Sequence, residues 1–402
     1  MQAGFRVFAA PDRRIRLKIR LPQRIFRTNF ILGRTMKDLC KAWEIRPRLA
    51  DSNALGVNIQ SFTSTALHRP DGTWRVWYSH TDPKIAGPNY GFGYMDFSAD
   101  FRLLRDTRMR IADRPGKAGL CILGVPAHWG LTQPVWLRLP DGRERLYFWA
   151  HHAGEGICRY LAADSSDGIN FIVPDCRRPV LGHPHDRAVP LRTLEQRGVE
   201  FYSRKPRPTP DPGEPEIPGD MLLNDATNVY LLPDGSFELY SADVIDLPPD
   251  APEPRQHDPI IRTIQRRTSA DGIRWSPPQT ILVRDAQDPF DLQFYYLAVN
   301  RTPRGRIGIL GHYRSDPGTM DMEFCFSQDG VHWRRERRPG FPREKGAETV
   351  YAPHDMVLRD GRYYLFYTGY NHTHHGQVSP DAPPDMPSSW IGLATIPAEA
   401  FA

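Results

Sequence analysis

Apolar and polar residues alternate along most of this chain, and the alternation comes in paired bursts joined by tight turns. Five such pairs stand out: Ser61–His80, Thr132–His152, Asp225–Asp243, Gln293–Tyr313 and Tyr351–Tyr370. Each reads as an apolar strand, a turn, and a second strand rich in aromatic residues. Three of the turns are Pro-Asp-Gly, at Pro70-Asp71-Gly72, Pro140-Asp141-Gly142 and Pro233-Asp234-Gly235. Asp-Gly between alternating apolar residues is the strongest short signal for a β-hairpin.

A third apolar strand follows each pair, at Gly91–Ser98, Ile157–Ser166, Ile260–Ser269, Met322–Ser327 and Trp390–Ile396. A second turn then recurs as Ser-x-Asp-Gly with an aromatic three residues on, at Ser165–Phe171, Ser269–Trp275 and Ser327–Trp333. Asp and Gly make such turns, and the aromatic anchors the next strand, so these aspartates are structural. Five copies of a four-stranded unit predict an all-β fold, a five-bladed β-propeller of four-stranded antiparallel blades over residues 41–402. The last copy lacks a fourth strand after Ile396, and a segment near Trp43–Leu49 is the candidate to supply it and close the ring. Long insertions fall at Arg187–Leu222 and Asp246–Pro259, where function tends to concentrate.

The formal charge of +5 belongs to one end. Residues 1–35 hold nine basic residues and one acid, which leaves 43 basic against 46 acidic residues in the remainder. The domain therefore has no basic footprint for nucleic acid. The basic extension, residues 1–40, has three readings: a transit-like leader, a segment for an anionic partner, or sequence ahead of a true start at Met36. No run of apolar residues matches a secretory signal or a membrane span, so the expectation is a cytoplasmic protein with no membrane partner. Five cysteines without a CxxC spacing predict thiols rather than a disulfide framework.

Two stretches carry a family likeness: NDATNVYLLPDGSFELY from Asn224 and APHDMVLRDGRYYLFYTGYN from Ala352. With the Ser-x-Asp-Gly turns, they make residues 50–397 resemble the five-bladed propeller glycoside hydrolases, the group of arabinanases, β-xylosidases and invertase-like fructosidases. The Asp-Pro signature of that group's first inner strand is absent here. The resemblance implies a carbohydrate substrate and acids at the starts of inner strands, Asp225 first among them.

Cleaving a glycoside generally takes two carboxyl groups, one protonated and one ionised. Glu348, among small and apolar neighbours, and Asp355, a charge inside an apolar strand, are the next candidates after Asp225. Asp288 and Asp291 precede the fourth repeat, and Asp51 precedes the first. For these acids to act as one set, Asp225, Glu348 and Asp355 must converge within about 10 Å on one face. Sugar-binding candidates are His128, Trp129 and Gln133 at the entry to the second repeat, Gln293 and Tyr295 in the fourth, and Tyr351 and His354 in the fifth. Asn371 and His372 follow in a polar loop. Aromatic faces stack on sugar rings while His and Gln bind hydroxyls. No strong metal motif or phosphate-cradling loop occurs, so no cofactor is expected, and a structural metal on the axis stays open. Two rival functions remain: a glycoside phosphorylase, which needs an Arg/His phosphate pocket, and a propeller that only binds carbohydrate.

Overall fold

A computed structural model describes residues 36–60, 65–84, 89–197, 202, 208–217, 221–247 and 260–401. The basic extension over residues 1–35 and most of the second insertion lie outside these residues. The fold is an all-β propeller. Its strands form successive antiparallel meanders, and each hairpin is closed as the sequence predicts. Asp71, Asp141 and Asp234 each turn their Oδ1 onto the backbone N–H two residues on, at 3.0 Å. In the second type of turn, Asp167, Asp271 and Asp329 accept two backbone N–H bonds apiece. All six carboxylates are thereby committed to turns.

The first meander runs Ala66–His68, Trp74–Thr81, Tyr90–Phe97 and Leu103–Ile111, with Asn58–Gln60 also on the second of these strands. The second runs Gly130–Arg138, Glu144–His152, Ile157–Ser165 and Asn170–Ile172. The third runs Thr227–Leu231, Phe237–Asp246, Ile260–Ser269 and Gln279–Leu282. The fourth runs Leu292–Thr302, Gly305–Arg314, Thr319–Ser327 and Trp333–Pro339. The fifth starts from Thr349–Tyr351 and Val357–Arg359, which share one neighbour, Arg362–Tyr370, and continues to Ser389–Pro397. Its outermost strand comes from the other end of the chain. Glu44–Asp51 lies antiparallel to Ser389–Pro397, with Glu44 opposite Thr395 and Asp51 opposite Trp390. The segment expected near residues 43–49 thus closes the ring, and Trp43 fixes it by packing on Phe324, Phe341 and Phe401 and donating to the Gly340 carbonyl at 3.1 Å.

The core lies between meanders. Trp77 and Tyr94 of the first pack on Leu131 and Phe148 of the second. Tyr147 and Trp149 of the second pack on Val229 and Leu239 of the third. Tyr240 and Ile264 of the third meet Phe294 and Leu297 of the fourth, and Phe366 and Leu393 of the fifth meet Trp74 and Val76 of the first. Each sheet buries both faces against its neighbours, which is why every repeat needs the next. The first insertion is anchored by one buried cation: Arg159 holds Asp186 at 2.8 Å, and Glu214 pairs with the same guanidinium. All five cysteines are thiols. Among the described residues, no helix is long and apolar enough to cross a membrane.

Candidate active site

Two bulges shape the inner strands at the end where they begin. The first breaks the second meander's inner strand between Thr132 and Val135. Gln133 sits there with φ +56°, a left-handed conformation that costs a non-glycine residue about 1–3 kcal/mol. A buried hydroxyl holds the strain in place, since Gln133 N donates to Ser79 Oγ at 2.7 Å. The bulge re-aims the side chain, and Gln133 Nε2 donates to Asp225 Oδ2 at 2.9 Å. The second bulge, between Phe294 and Leu297, puts Tyr295 and Tyr296 side by side on the fourth inner strand.

Asp225 is half-buried, just ahead of the strand Thr227–Leu231. Its charge reaches three neighbours. Burial pushes the Tyr295 phenol up to about 12, with Arg262 opposing and Asp225 reinforcing the shift. Burial lowers His151, and Asp225 pulls it back up. Burial raises the Cys158 thiol, as do Asp225 and Asp186, so this thiol is a poor nucleophile. Arg262 lies over the Tyr295 ring, 4.9 Å from its centroid, and donates to Gln293 Oε1 at 2.7 Å.

Tyr295 leads onward to a bracketed histidine. His374 Nε2 is 3.2 Å from the Tyr295 hydroxyl, and its Nδ1 is 3.2 Å from the Tyr351 hydroxyl. Burial, Arg262 and the flanking His375 and His372 push His374 down to about 3. The ring is therefore neutral at ordinary pH, with one nitrogen donating and the other accepting. His374 and Tyr351 also line a cleft of about 300 Å³, together with Asn58, Gln60, Thr349, Tyr370, His372 and Ser389. The lining mixes flat aromatic faces with amide, hydroxyl and imidazole groups, which suits a sugar.

Hydrogen bonds and electrostatic reach thus link Asp225, Gln133, Gln293, Tyr295 and Tyr351, and His372 lines the same cleft as Tyr351. The other candidates stand elsewhere. Thr349 and Tyr351 face the cleft, so the alternation of the strand turns Glu348 to its other side. There its carboxylate is 3.7 Å from Arg343, which also pairs with Asp321 at 2.8 Å. Burial raises the Asp321 carboxyl, with Arg343 opposing it. Asp355 lies 3.6 Å from His354 Nδ1. His354 stacks on Tyr230 at 4.3 Å, and its Nε2 donates to the Val229 carbonyl at 2.7 Å. Val229 is four residues beyond Asp225, or about 13 Å along an extended strand. Asp225, Glu348 and Asp355 share no contact and no common partner among the described residues.

Asp288 and Asp291 are held by arginines. Their side chains are wholly buried, with Asp288 between Arg335 at 2.8 Å and Arg337 at 3.2 Å, and Asp291 against Arg314 at 2.7 Å. Asp51 caps the short helix Ser52–Leu55, accepting from Ala54 N at 2.9 Å. Asn371 holds its own loop through the Met386 carbonyl. His128 and Trp129 meet at Glu155, a cluster on the second meander, with His128 Nε2 2.7 Å from Glu155 Oε1.

Arg262, Asn58 and Gln60 belong to this neighbourhood without any sequence signal that marks them. Arg262 sits in an alternating strand whose polar positions look alike, and nothing in Ile260–Ser269 marks it. His151 and His374 likewise carry no motif that sets them apart.

No family model matches the sequence, and no curated protein matches it. Solved structures do. A glycoside hydrolase aligns with a TM-score of 0.55 at 13% identity, over 90% of this chain and 94% of its own. A thermostable family-43 glycoside hydrolase gives 0.52 at 11% identity, over 84% and 88%. A structure from the GH130 family of mannoside phosphorylases, described as containing glycoside hydrolases for beta-1,2 mannosidic linkages in Candida mannan, gives 0.50 at 15%, over 85% of both chains. The chain has the fold of the propeller glycoside hydrolases. An N-acetylgalactosamine deacetylase from F. plautii matches as well, with a TM-score of 0.51 at 15% identity over 85% and 90%, so this fold hosts more than one chemistry.

Proposed function

We propose that this propeller is a carbohydrate-active enzyme that cleaves a glycosidic bond, with Asp225 as its acid. One observation carries the reading. Of the candidate acids, Asp225 alone connects to the polar-aromatic cleft, through Tyr295 and His374. Its carboxylate is half-buried, and the side-chain amide it accepts from engages Oδ2, which leaves Oδ1 to meet a leaving oxygen. The cleft supplies stacking faces from Tyr351 and Tyr370 and hydroxyl partners from Asn58, Gln60 and His372.

Among the described residues no second candidate carboxylate joins this connected set, which favours phosphorolysis as the second reading. Hydrolysis calls on a protein carboxylate to activate water, whereas phosphate is itself a nucleophile and leaves the protein only the acid to provide. Arg262 stands beside Tyr295, within electrostatic reach of His374, as the cation such an anion needs.

The test is sugar release from a broad panel of oligosaccharides and aryl glycosides, with and without inorganic phosphate. Turnover in plain buffer supports hydrolysis, and turnover only with phosphate supports the second reading. Glycan binding without any turnover contradicts both and leaves a binding propeller.

A further inference from the structure

The rim of the second meander brings three metal-ligating side chains together outside the candidate active site. His152 ends the strand Glu144–His152, and Glu155 follows in the single 3₁₀ turn Ala153–Glu155. Three residues per turn put positions 152 and 155 on one side. Alternation along the strand turns His151 and His152 to opposite faces, so the histidine near Asp225 is not the one in this cluster. His128 arrives from the segment ahead of Gly130, which pairs with His151. One donor atom from each of His128, His152 and Glu155 lies within 4.8 Å of the other two.

We propose that His128, His152 and Glu155 form a binding site for a zinc-class divalent transition metal. Two imidazoles and a carboxylate suit such an ion, and three protein ligands leave the fourth tetrahedral position to solvent. Ligands on a tetrahedral zinc stand roughly 3.4 Å apart at its usual bond lengths. His128 Nε2 is 2.7 Å and His152 Nδ1 3.9 Å from Glu155 Oε1, so both approach that spacing with sub-ångström shifts. His152 Nδ1 accepts the Glu155 N–H at 3.1 Å, a hydrogen bond that the metal would replace.

The carboxylate is already oriented. Trp129 Nε1 donates to Glu155 Oε2 at 3.3 Å and turns Oε1 towards His128 Nε2, whose contact the cation would replace, as an outer partner does for a metal ligand. His128 is 55% exposed at its side chain, which gives the ion a way in. The ion would clasp the segment ahead of Gly130 to the turn after His152, beside a second cavity that Trp129 and Glu155 help to line.

The test is titration of the full-length, EDTA-dialysed protein with zinc chloride, followed by calorimetry. The histidines at 372, 374 and 375 offer a competing location, so the comparison is between variants. Wild-type protein is expected to bind one equivalent more than His128→Asn/His152→Asn. Trp129→Phe, which removes only the orienting donor, should weaken that equivalent by about tenfold. Because Trp129 is buried, circular dichroism verifies that each variant is folded, and Glu155→Gln serves as a milder check. Equal stoichiometry and affinity in wild type, the double variant and Glu155→Gln would overturn the site.

Discussion

Gln133 carries backbone strain for the sake of one hydrogen bond. Its amide reaches Asp225, while its own buried Oε1 has no hydrogen-bond partner among the described residues. A group that costs stability and positions an acid trades one against the other. Gln133→Gly relieves the left-handed φ and removes the donor together. We expect melting no lower than wild type and a fall of about tenfold in kcat/KM on the responsive glycoside. A clear drop in melting temperature with unchanged kinetics would make Gln133 purely structural. Buried histidines shape the response to acid. His374 is depressed to about 3 and His80 to about 4, both chiefly by burial. The His80 ring fills the space beside Gly91, and neither nitrogen has a partner among the described residues. Below about pH 6.5 the unfolded chain takes up protons at these positions that the folded chain refuses. Stability is therefore lost as pH falls from 6.5 towards 4. His374→Gln should flatten part of that loss in thermal melts run from pH 7 to pH 4, and an unchanged slope would contradict the assignment.

At the scale of strands, the hairpins were legible because Asp-Gly turns and period-two alternation are local. The closing strand Glu44–Asp51 was also legible, though only by counting: one repeat was a strand short. Its packing was not, since Trp43 meets Phe324 and Phe341 nearly three hundred residues away. Trp43 is 7% exposed, and Trp43→Ala should cost about 3–5 kcal/mol and loosen the seam. Chemical denaturation would measure it, and a cost below about 1 kcal/mol would mean that the closure does not depend on this anchor. The bulges at Gln133 and Tyr295 escaped the sequence reading for a related reason. A bulge shifts register by one residue without changing which residue types appear, so the pattern predicted a strand but not where its side chains point.

Across the whole molecule, the fold was readable because repetition accumulates evidence, whereas the site was not repeated. Asp288, Asp291 and Asp225 look alike in sequence, each an acid shortly before an inner strand. Arginines 314, 335 and 337 separate them, claiming the first two and leaving Asp225. Two of those arginines lie in Trp333–Pro339, more than forty residues downstream of Asp288. Glu348 likewise reads as a half-hydrophobic acid, and only strand alternation shows that it turns from the cleft towards Arg343. Separate meanders thus bring Asp225 and Arg262 to Tyr295, which reaches His374 on the cleft. The central claim is that Asp225 does chemistry on a glycoside there. The most direct measurement is the single-turnover rate of Asp225→Asn beside wild type on the best substrate from the panel, with the phosphate condition that supports turnover. Removal of a general acid predicts a loss of about 10²–10⁴-fold with substrate binding retained. A rate within about threefold of wild type would contradict the account.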